Sequence, residues 1–381
     1  MTAPVVIIGS GLAGITVARE LRKLDTTVPL TIITSDDGAF YSKPSLSNAI
    51  AAGKTALQLA LNPAAKLAEQ LNADFLTNEQ VSHIDTAAKT ISSSSGVIEY
   101  SQLVLANGAH PIRLPLTGSG AEDVLSVNNL GQYAVFRERL QAGMSVAILG
   151  AGLIGCEFAN DLRHAGHAVS VFDLAPQPLG RLLPPQVGAY FRKALEAAGV
   201  HFHFGTSIAN VDKAATGYAL TTADGQQFNA DIVLSAIGLK PATELAAAAG
   251  LKINRGVVVD RHLQTSAPDV YALGDCAEVE GLVLPFVLPI MSAARALAKT
   301  LAGEPTLLSY PAMPVAVKTP ACPTIVSPPA MGAAGAWEEE LIENGARALF
   351  KSPDGKLLGC ALLGEASKER QTYAAQLPPV L

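Results

Sequence analysis

Short runs of branched apolar residues recur along the chain, and stretches with apolar residues at helical spacing follow them. Residues 5–8 (Val-Val-Ile-Ile) and 146–149 (Val-Ala-Ile-Leu) have no polar alternation, so each predicts a strand buried on both faces of a parallel sheet. Residues 31–33 and 169–173 predict the next strand of each unit. Residues 103–106 and 232–235 predict a third, running into glycine turns at Gly108 and Gly238. A further buried strand at 270–273 runs into Gly274-Asp275, and residues 289–301 predict a helix opening with proline. Alternation of this kind is an α/β pattern. Three regions depart from it. Residues 81–84 and 97–100 flank a Ser-rich turn and predict a small antiparallel insertion, residues 217–228 predict a hairpin, and from about Pro305 the pattern turns β-leaning and Pro-rich.

The two leading strands run into the same turn, Gly9-Ser10-Gly11-Leu12-Ala13-Gly14 and Gly150-Ala151-Gly152-Leu153-Ile154-Gly155, 141 residues apart. In a dinucleotide-binding turn the first glycine permits the bend and the second admits a pyrophosphate. The third lets the helix sit close on the sheet, and helix amides meet the phosphate charge. The likeness extends beyond the glycines: Val5, Ile7, Leu12, Ala18, Leu21 and Arg22 recur at the same offset as Val146, Ile148, Leu153, Ala159, Leu162 and Arg163. A whole strand-turn-helix unit is repeated, which points to two bound nucleotides.

Carboxylates stand where ribose hydroxyls are expected. Asp36, with Asp37 as the neighbouring candidate, follows the second strand of the first unit, and Asp173 lies 18 residues after Gly155. A carboxylate at 173 repels a 2'-phosphate and so favours NADH over NADPH, although Arg181 nearby opposes that preference. Asp275 offers a further carboxylate at a strand's carboxyl end, where α/β sheets bind ligands.

Length allows two or three domains. The net charge of −6 argues against general nucleic-acid binding. The longest apolar run, around 281–291, is broken by Pro285 and Pro289, which excludes a membrane span there. A first strand close to Met1, with no basic leader, leads us to expect a cytoplasmic protein. Cys156, Cys276, Cys322 and Cys360 are far apart and form no C-x-x-C or C-x4-C pair, so single buried thiols are expected, and no metal site.

Together these residues resemble the pyridine nucleotide-disulfide oxidoreductase superfamily: two fingerprints, Ala106-Asn107-Gly108, Gly238-Leu239-Lys240-Pro241, and Thr265 through Gly274-Asp275. The resemblance implies an α/β protein with two Rossmann-like, glutathione-reductase-type domains and a small α+β C-terminal domain. Its implied boundaries are 1–113 with 240–305 for FAD, 114–239 for NADH and 306–381 for the C-terminal part. It implies that Gly9, Gly11, Leu12, Ala13, Gly14, Asp36, Lys43, Val81, Gly108, Asp275 and Lys318 hold FAD. Gly150, Gly152, Leu153, Ile154, Gly155, Glu157, Asp173 and Gly238 would receive NADH. Asn107 departs from the family's usual Thr.

Disulfide reductases of this superfamily carry a C-x4-C pair soon after the FAD ribose residue, and the peroxidase and oxidase branch carries one Cys there. Here the segment reads Tyr41-Ser42-Lys43-Pro44-Ser45-Leu46-Ser47, without sulfur. Electrons then cannot leave by dithiol exchange and must pass to an outside acceptor. Phe40 through Pro44, Cys156-Glu157, residues 274–278 and residues 315–323 resemble the branch of bacterial rubredoxin reductases. That resemblance implies hydride in from NADH, single electrons out to rubredoxin, and service to alkane hydroxylation or to oxygen and oxidative-stress chains. Lys43, Lys318 and Glu157 are the catalytic candidates: Lys43 and Lys318 as cations beside the flavin, Glu157 as a carboxylate near the nicotinamide or as a partner of Lys43. The helix entered at about Pro289 would direct its positive end at the flavin. For the acceptor, Arg113, Lys252, Arg255 and Arg261 are candidate docking charges. Alternatives are a ferredoxin reductase of an oxygenase chain, an NADH oxidase or peroxidase, and a non-enzymatic NADH-responsive flavoprotein.

Overall fold

In a computed structural model, residues 3–381 are described. Val5–Ile8 lies fully buried between Leu30–Ile33 and Gln102–Leu105, with Ile7 level with Ile32 on one side and Val104 on the other. Asp74–Leu76 and Val270–Ala272 complete this five-stranded parallel sheet at its two edges. The second sheet repeats the core of the first: Val200–Phe204, Ala168–Asp173, Ser145–Leu149 and Ile232–Ser235 are parallel in that order. In both, the strand before the glycine turn sits where the strand order reverses, so each turn opens onto the crevice at the sheet's carboxyl end.

Because Val270–Ala272 pairs with Gln102–Leu105, the chain returns to the first sheet after building the second. The crossing is a two-stranded antiparallel ribbon, Ala109–Pro111 against Leu239–Pro241. The helix Val287–Leu301 then packs on the first glycine-turn helix, Leu12–Leu24, with the Thr16 hydroxyl 3.7 Å from Met291 Sδ.

Two of the antiparallel insertions are larger than the sequence suggests. Residues 81–100 form three strands, because the serine run itself contributes Thr90–Ser93, anchored by the fully buried Ile91. Likewise the hairpin near 217–228 gains Ile208–Lys213 as a third strand. One or two apolar residues per strand suffice when a neighbouring strand supplies the backbone partners.

The C-terminal part is a five-stranded antiparallel sheet, in the order Val315–Val317, Thr324–Ser327, Leu357–Gly364, Gly345–Lys351 and Ala336–Ile342, followed by the short helix Arg370–Ala374. It is seated on the second nucleotide domain, where the Glu339 carboxylate accepts from Val187 N (2.9 Å) in the first turn of the helix Pro185–Ala197. Val317, Val326 and Leu363 share one apolar cluster with Phe158 and Leu162 of the second domain and Leu46 of the first. All four cysteines are free and buried.

Candidate nucleotide and electron-transfer site

The two glycine turns are built alike. Gly9 (φ +114°) and Gly150 (φ +106°) adopt backbone that L side chains avoid, and a Cβ on either would lie 2.3 Å from Ala106 O or 2.7 Å from Ala236 O. A Cβ on Gly14 or Gly155 would lie 2.0 or 1.9 Å from the carbonyl of Gly9 or Gly150, so only glycine lets these helices approach. Around Gly11 and Gly152 nothing lies within 4 Å of an added Cβ. That open space faces first-turn amides with no side-chain cap, at Leu12–Ala13 and Leu153–Ile154. A cradle of uncapped amides with room above the middle glycine fits a pyrophosphate twice over.

Each carboxylate expected at a ribose is wired to its turn. The Thr34 hydroxyl donates to Asp36 (2.7 Å) and accepts from the Ser10 hydroxyl (3.0 Å) inside the first turn. Asp37 accepts instead from Ala39 N, two residues on. In the second turn the link is direct, since Asp173 accepts from Ala151 N (2.5 Å) and Ala175 N (2.8 Å). Val81 stands near Asp36, because the Asn78 amide donates to Asp36 O and the Glu79 amide to Thr34 O. Gly108 (φ +74°) and Gly238 (φ +120°) adjoin the two strands of the crossing ribbon.

Gly274 (φ +79°) lets the chain pass within contact of Ala13, a Cβ there lying 3.0 Å from the Ala13 methyl. This brings Asp275 beside the first turn. Its side chain is only 12% exposed, and Lys43 Nζ, 3.8 Å away, is its one ionic partner among the described residues. Burial raises the Asp275 pKa, and Lys43 opposes the rise. A buried carboxylate this sparsely partnered fits a ligand hydroxyl.

Glu157, on the second turn's helix Leu153–His164, is 3% exposed at its side chain and carries three donors: the Ser47 hydroxyl (2.5 Å), Lys318 N (2.9 Å) and Lys318 Nζ (2.5 Å). The open alternative of a Glu157–Lys43 pair is therefore not the arrangement found. Lys43 turns to Asp275, while Glu157 binds Lys318 of the C-terminal sheet and Ser47 of the 3-10 helix Lys43–Asn48.

Two residues missed in the sequence continue this strip. Asn160 accepts from Ala321 N (3.1 Å), and Asp161 accepts from Ile50 N (2.8 Å) and, at 3.4 Å, Ala51 N. Both are buried. The available signal was polar residues at i, i+3 and i+4 on an otherwise apolar helix face.

Three of the four basic candidates have acceptors close by. Arg113 faces Glu122 (3.7 Å), Arg255 binds Gly281 O and lies near Glu278, and Arg261 donates twice to Leu308 O, so local acceptors use their charge. Lys252 has no partner in common with them. No helix among the described residues is long and apolar enough to cross a membrane, and no group of His, Cys, Asp and Glu among them could hold a metal.

Comparison with known proteins bears on the same parts. Residues 3–299 match the family described as pyridine nucleotide-disulphide oxidoreductase, and residues 308–377 match the one described as rubredoxin binding C-terminal domain. A rubredoxin-NAD(+) reductase of Alcanivorax borkumensis is 49% identical over 379 residues, covering 99% of both chains. Its namesake in Acinetobacter baylyi is 48% identical over 387 residues, covering 99% of this chain and 98% of the relative. Among solved structures, the covalent putidaredoxin reductase-putidaredoxin complex superposes with a TM-score of 0.88 at 26% identity, over 99% of this chain and 94% of that one. The ferredoxin reductase for the CYP199A2 system of Rhodopseudomonas palustris gives 0.89 at 27%, over 99% and 96%. Paired glycine turns, their carboxylates and matches along both parts of the chain lead to one conclusion: this protein belongs to the pyridine nucleotide-disulphide oxidoreductase family.

Proposed function

We propose that the chain is an FAD-dependent oxidoreductase that takes electrons from NADH and delivers them to rubredoxin. The observation that carries this reading is the absence of sulfur from residues 41–47, the segment in which the resemblance leads us to expect cysteine in thiol-dependent members of the superfamily. The cysteines elsewhere are poor substitutes. All are buried, and burial pushes the Cys276 and Cys360 thiols up to about 11, so roughly one in ten thousand is thiolate at neutral pH. The 49% identical relative named for rubredoxin and the match of residues 308–377 support the choice of acceptor.

The working division is 1–113 with 240–305, 114–239, and 306–381. When bound, FAD accepts hydride from NADH and releases electrons one at a time, chemistry the polypeptide itself lacks. The chain's residues bind and orient. Glycine-turn amides hold the two pyrophosphates, Asp36 and Asp173 take ribose hydroxyls, and Asp275 takes a hydroxyl of the FAD chain. Lys43 and Lys318 bring positive charge to the cleft, where negative charge accumulates on reduction. Glu157 holds Lys318 in place. Val81, Gly108 and Gly238 line the approach as backbone.

The reading places the protein in the cytoplasm, ahead of an alkane hydroxylase or an oxidative-stress electron chain. The test is to purify the yellow protein, confirm FAD, and follow cytochrome c reduction by NADH with rubredoxin or ferredoxin as mediator. Rubredoxin should give the larger kcat/KM. A larger value with ferredoxin sinks this reading, and equally slow turnover with both favours a signalling flavoprotein.

A further inference from the structure

One face of the helix Leu153–His164 holds segments from both other domains. Glu157, Asn160 and Asp161 are all buried there, and each accepts from a donor outside the second nucleotide domain. Asp161 engages the backbone just beyond the 3-10 helix Lys43–Asn48, at Ile50 and Ala51. Ser47, in that same 3-10 helix, binds Glu157 one helical turn away. The segment that carries Lys43 is thus pinned at two points to the helix that begins at the second glycine turn. Its other contacts there are a 3.4 Å bond from the Asn48 side-chain amide to Lys318 O and the long 3.8 Å approach of Lys43 to Asp275, the latter too weak to fix a flexible lysine.

We propose that Asp161 is a positioning residue for flavin reduction: by holding the amides of Ile50 and Ala51 it sets where Lys43 stands in the cleft. This rests on the reading of Lys43 as a cation beside FAD. The geometry suits that role. Oδ2 takes the 2.8 Å bond from Ile50 N and both carboxylate oxygens lie 3.4 Å from Ala51 N, so the amide oxygen of an asparagine can keep the Ile50 bond without moving the chain. Removing the acceptor leaves two amides of a buried segment without partners, and the 3-10 helix shifts to reach others. Burial also raises the Asp161 pKa, as expected for a carboxyl kept inside a joint between domains. A displacement of about 1 Å at a reacting centre commonly costs one to two orders of magnitude in rate.

The experiment is a double-mutant cycle on FAD-loaded protein, combining Asp161→Ala with Lys43→Met and reading flavin reduction by NADH in stopped flow and the visible spectrum of the oxidised flavin. Asp161→Ala should retain FAD, slow reduction roughly tenfold and shift the flavin bands as Lys43→Met does. Asp161→Asn should restore the rate and the spectrum to within about twofold of wild type. In the Lys43→Met background, Asp161→Ala should add less than about twofold. An equal effect in both backgrounds overturns the proposal, as does an Asp161→Ala protein with unaltered rate and spectrum. If Lys43→Met alone changes neither readout, the reading of Lys43 fails and takes the proposal with it. Should Asp161→Ala not yield flavin-loaded protein, Asp161→Ser runs the same cycle with the same criteria.

Discussion

The two glycine-turn helices, Leu12–Leu24 and Leu153–His164, begin alike and then differ at particular positions. Ala18, Leu21 and Arg22 recur as Ala159, Leu162 and Arg163. Even the arginines act alike, since Arg22 donates to Leu71 O and Asn72 O and Arg163 to Ala198 O, each at the end of the helix leading into the sheet's far strand. Positions 16, 19 and 20 diverge from 157, 160 and 161. In the first helix Thr16 makes one weak contact with Met291 Sδ, Arg19 lies over the Phe40 ring and Glu20 pairs with Lys23 at the surface. In the second, three buried acceptors hold two other domains. The repeat keeps what sheet and turn require and changes where one half must hold its neighbours.

The shared part is broken most severely at the third glycines. Gly14→Ala and Gly155→Ala each drive a methyl to about 2 Å from a backbone carbonyl, an overpacking that costs about 1–3 kcal/mol or forces the helix off the sheet. The two variants should fail differently. Gly14→Ala is expected to come off the column largely without FAD, whereas Gly155→Ala should stay yellow with the KM for NADH raised at least roughly tenfold. Absorbance at the flavin band and NADH titration check this. Loss of FAD from both would mean that the halves are not separate sites.

The diverged part is tested at the equivalent positions 16 and 157. Glu157→Gln leaves the Lys318 ammonium without its carboxylate, and because Lys318 is 36% exposed, water repays part of the loss. A drop of about 1–2 kcal/mol in urea unfolding is expected, below the cost of breaking a fully buried pair. Thr16→Val should stay within about 0.5 kcal/mol. Equal effects at the two positions would remove the distinction.

That distinction was only half legible in the sequence. The buried strands, both turns and their carboxylates follow from apolar runs and glycine spacing, which are local signals, whereas the return of Val270–Ala272 to the first sheet was implied only by the family resemblance. Glu157 stood out singly, but Asn160 and Asp161 read as ordinary polar positions near a helix end. Their spacing with Glu157 on one helix face was a local signal, but their partners, Ile50 at 111 residues from Asp161 and Ala321 at 161 from Asn160, are encoded by no local pattern. Lys43 and Lys318 were both legible as cations, yet their partners were not: Asp275 is brought to Lys43 by the chain's return to the first sheet, and Glu157 to Lys318 by the seating of the C-terminal part on the second domain. The third strands of the antiparallel insertions were missed for a similar reason, because Thr90–Ser93 is β only in the company of its neighbours.

A subtler difference concerns the ribose carboxylates. Asp36 reaches its turn through Thr34, while Asp173 binds Ala151 N directly, so on the proposed reading Asp173 would both order the second loop and repel a 2'-phosphate. Asp173→Asn keeps an oxygen for the amide and removes the charge. It should lower the NADH over NADPH ratio of kcat/KM roughly tenfold, about 1.4 kcal/mol, with kcat for NADH little changed. Asp173→Ala should in addition raise the KM for NADH by loosening the loop. An unaltered ratio in both variants rejects the role in discrimination.

The smallest expected effect lies at Asp275, which has no counterpart in the second half because that sheet lacks the fifth strand. Burial raises the Asp275 pKa in the folded chain above the ordinary aspartate value of 3.8, with Lys43 opposing. The folded state then holds the proton more tightly than the unfolded state, so this residue favours folding at low pH. The advantage disappears as pH rises through the folded pKa, where ionisation in a desolvated position works against folding. Flavin-free protein should therefore show Asp275→Asn gaining stability relative to wild type as pH rises from about 4 through the range in which Asp275 ionises in the folded chain, with no further relative change above it. Urea midpoints of the two flavin-free proteins across that window measure it. A relative gain on acidification instead would mean that Lys43 outweighs burial, and that the charge at Asp275 is already satisfied before FAD arrives.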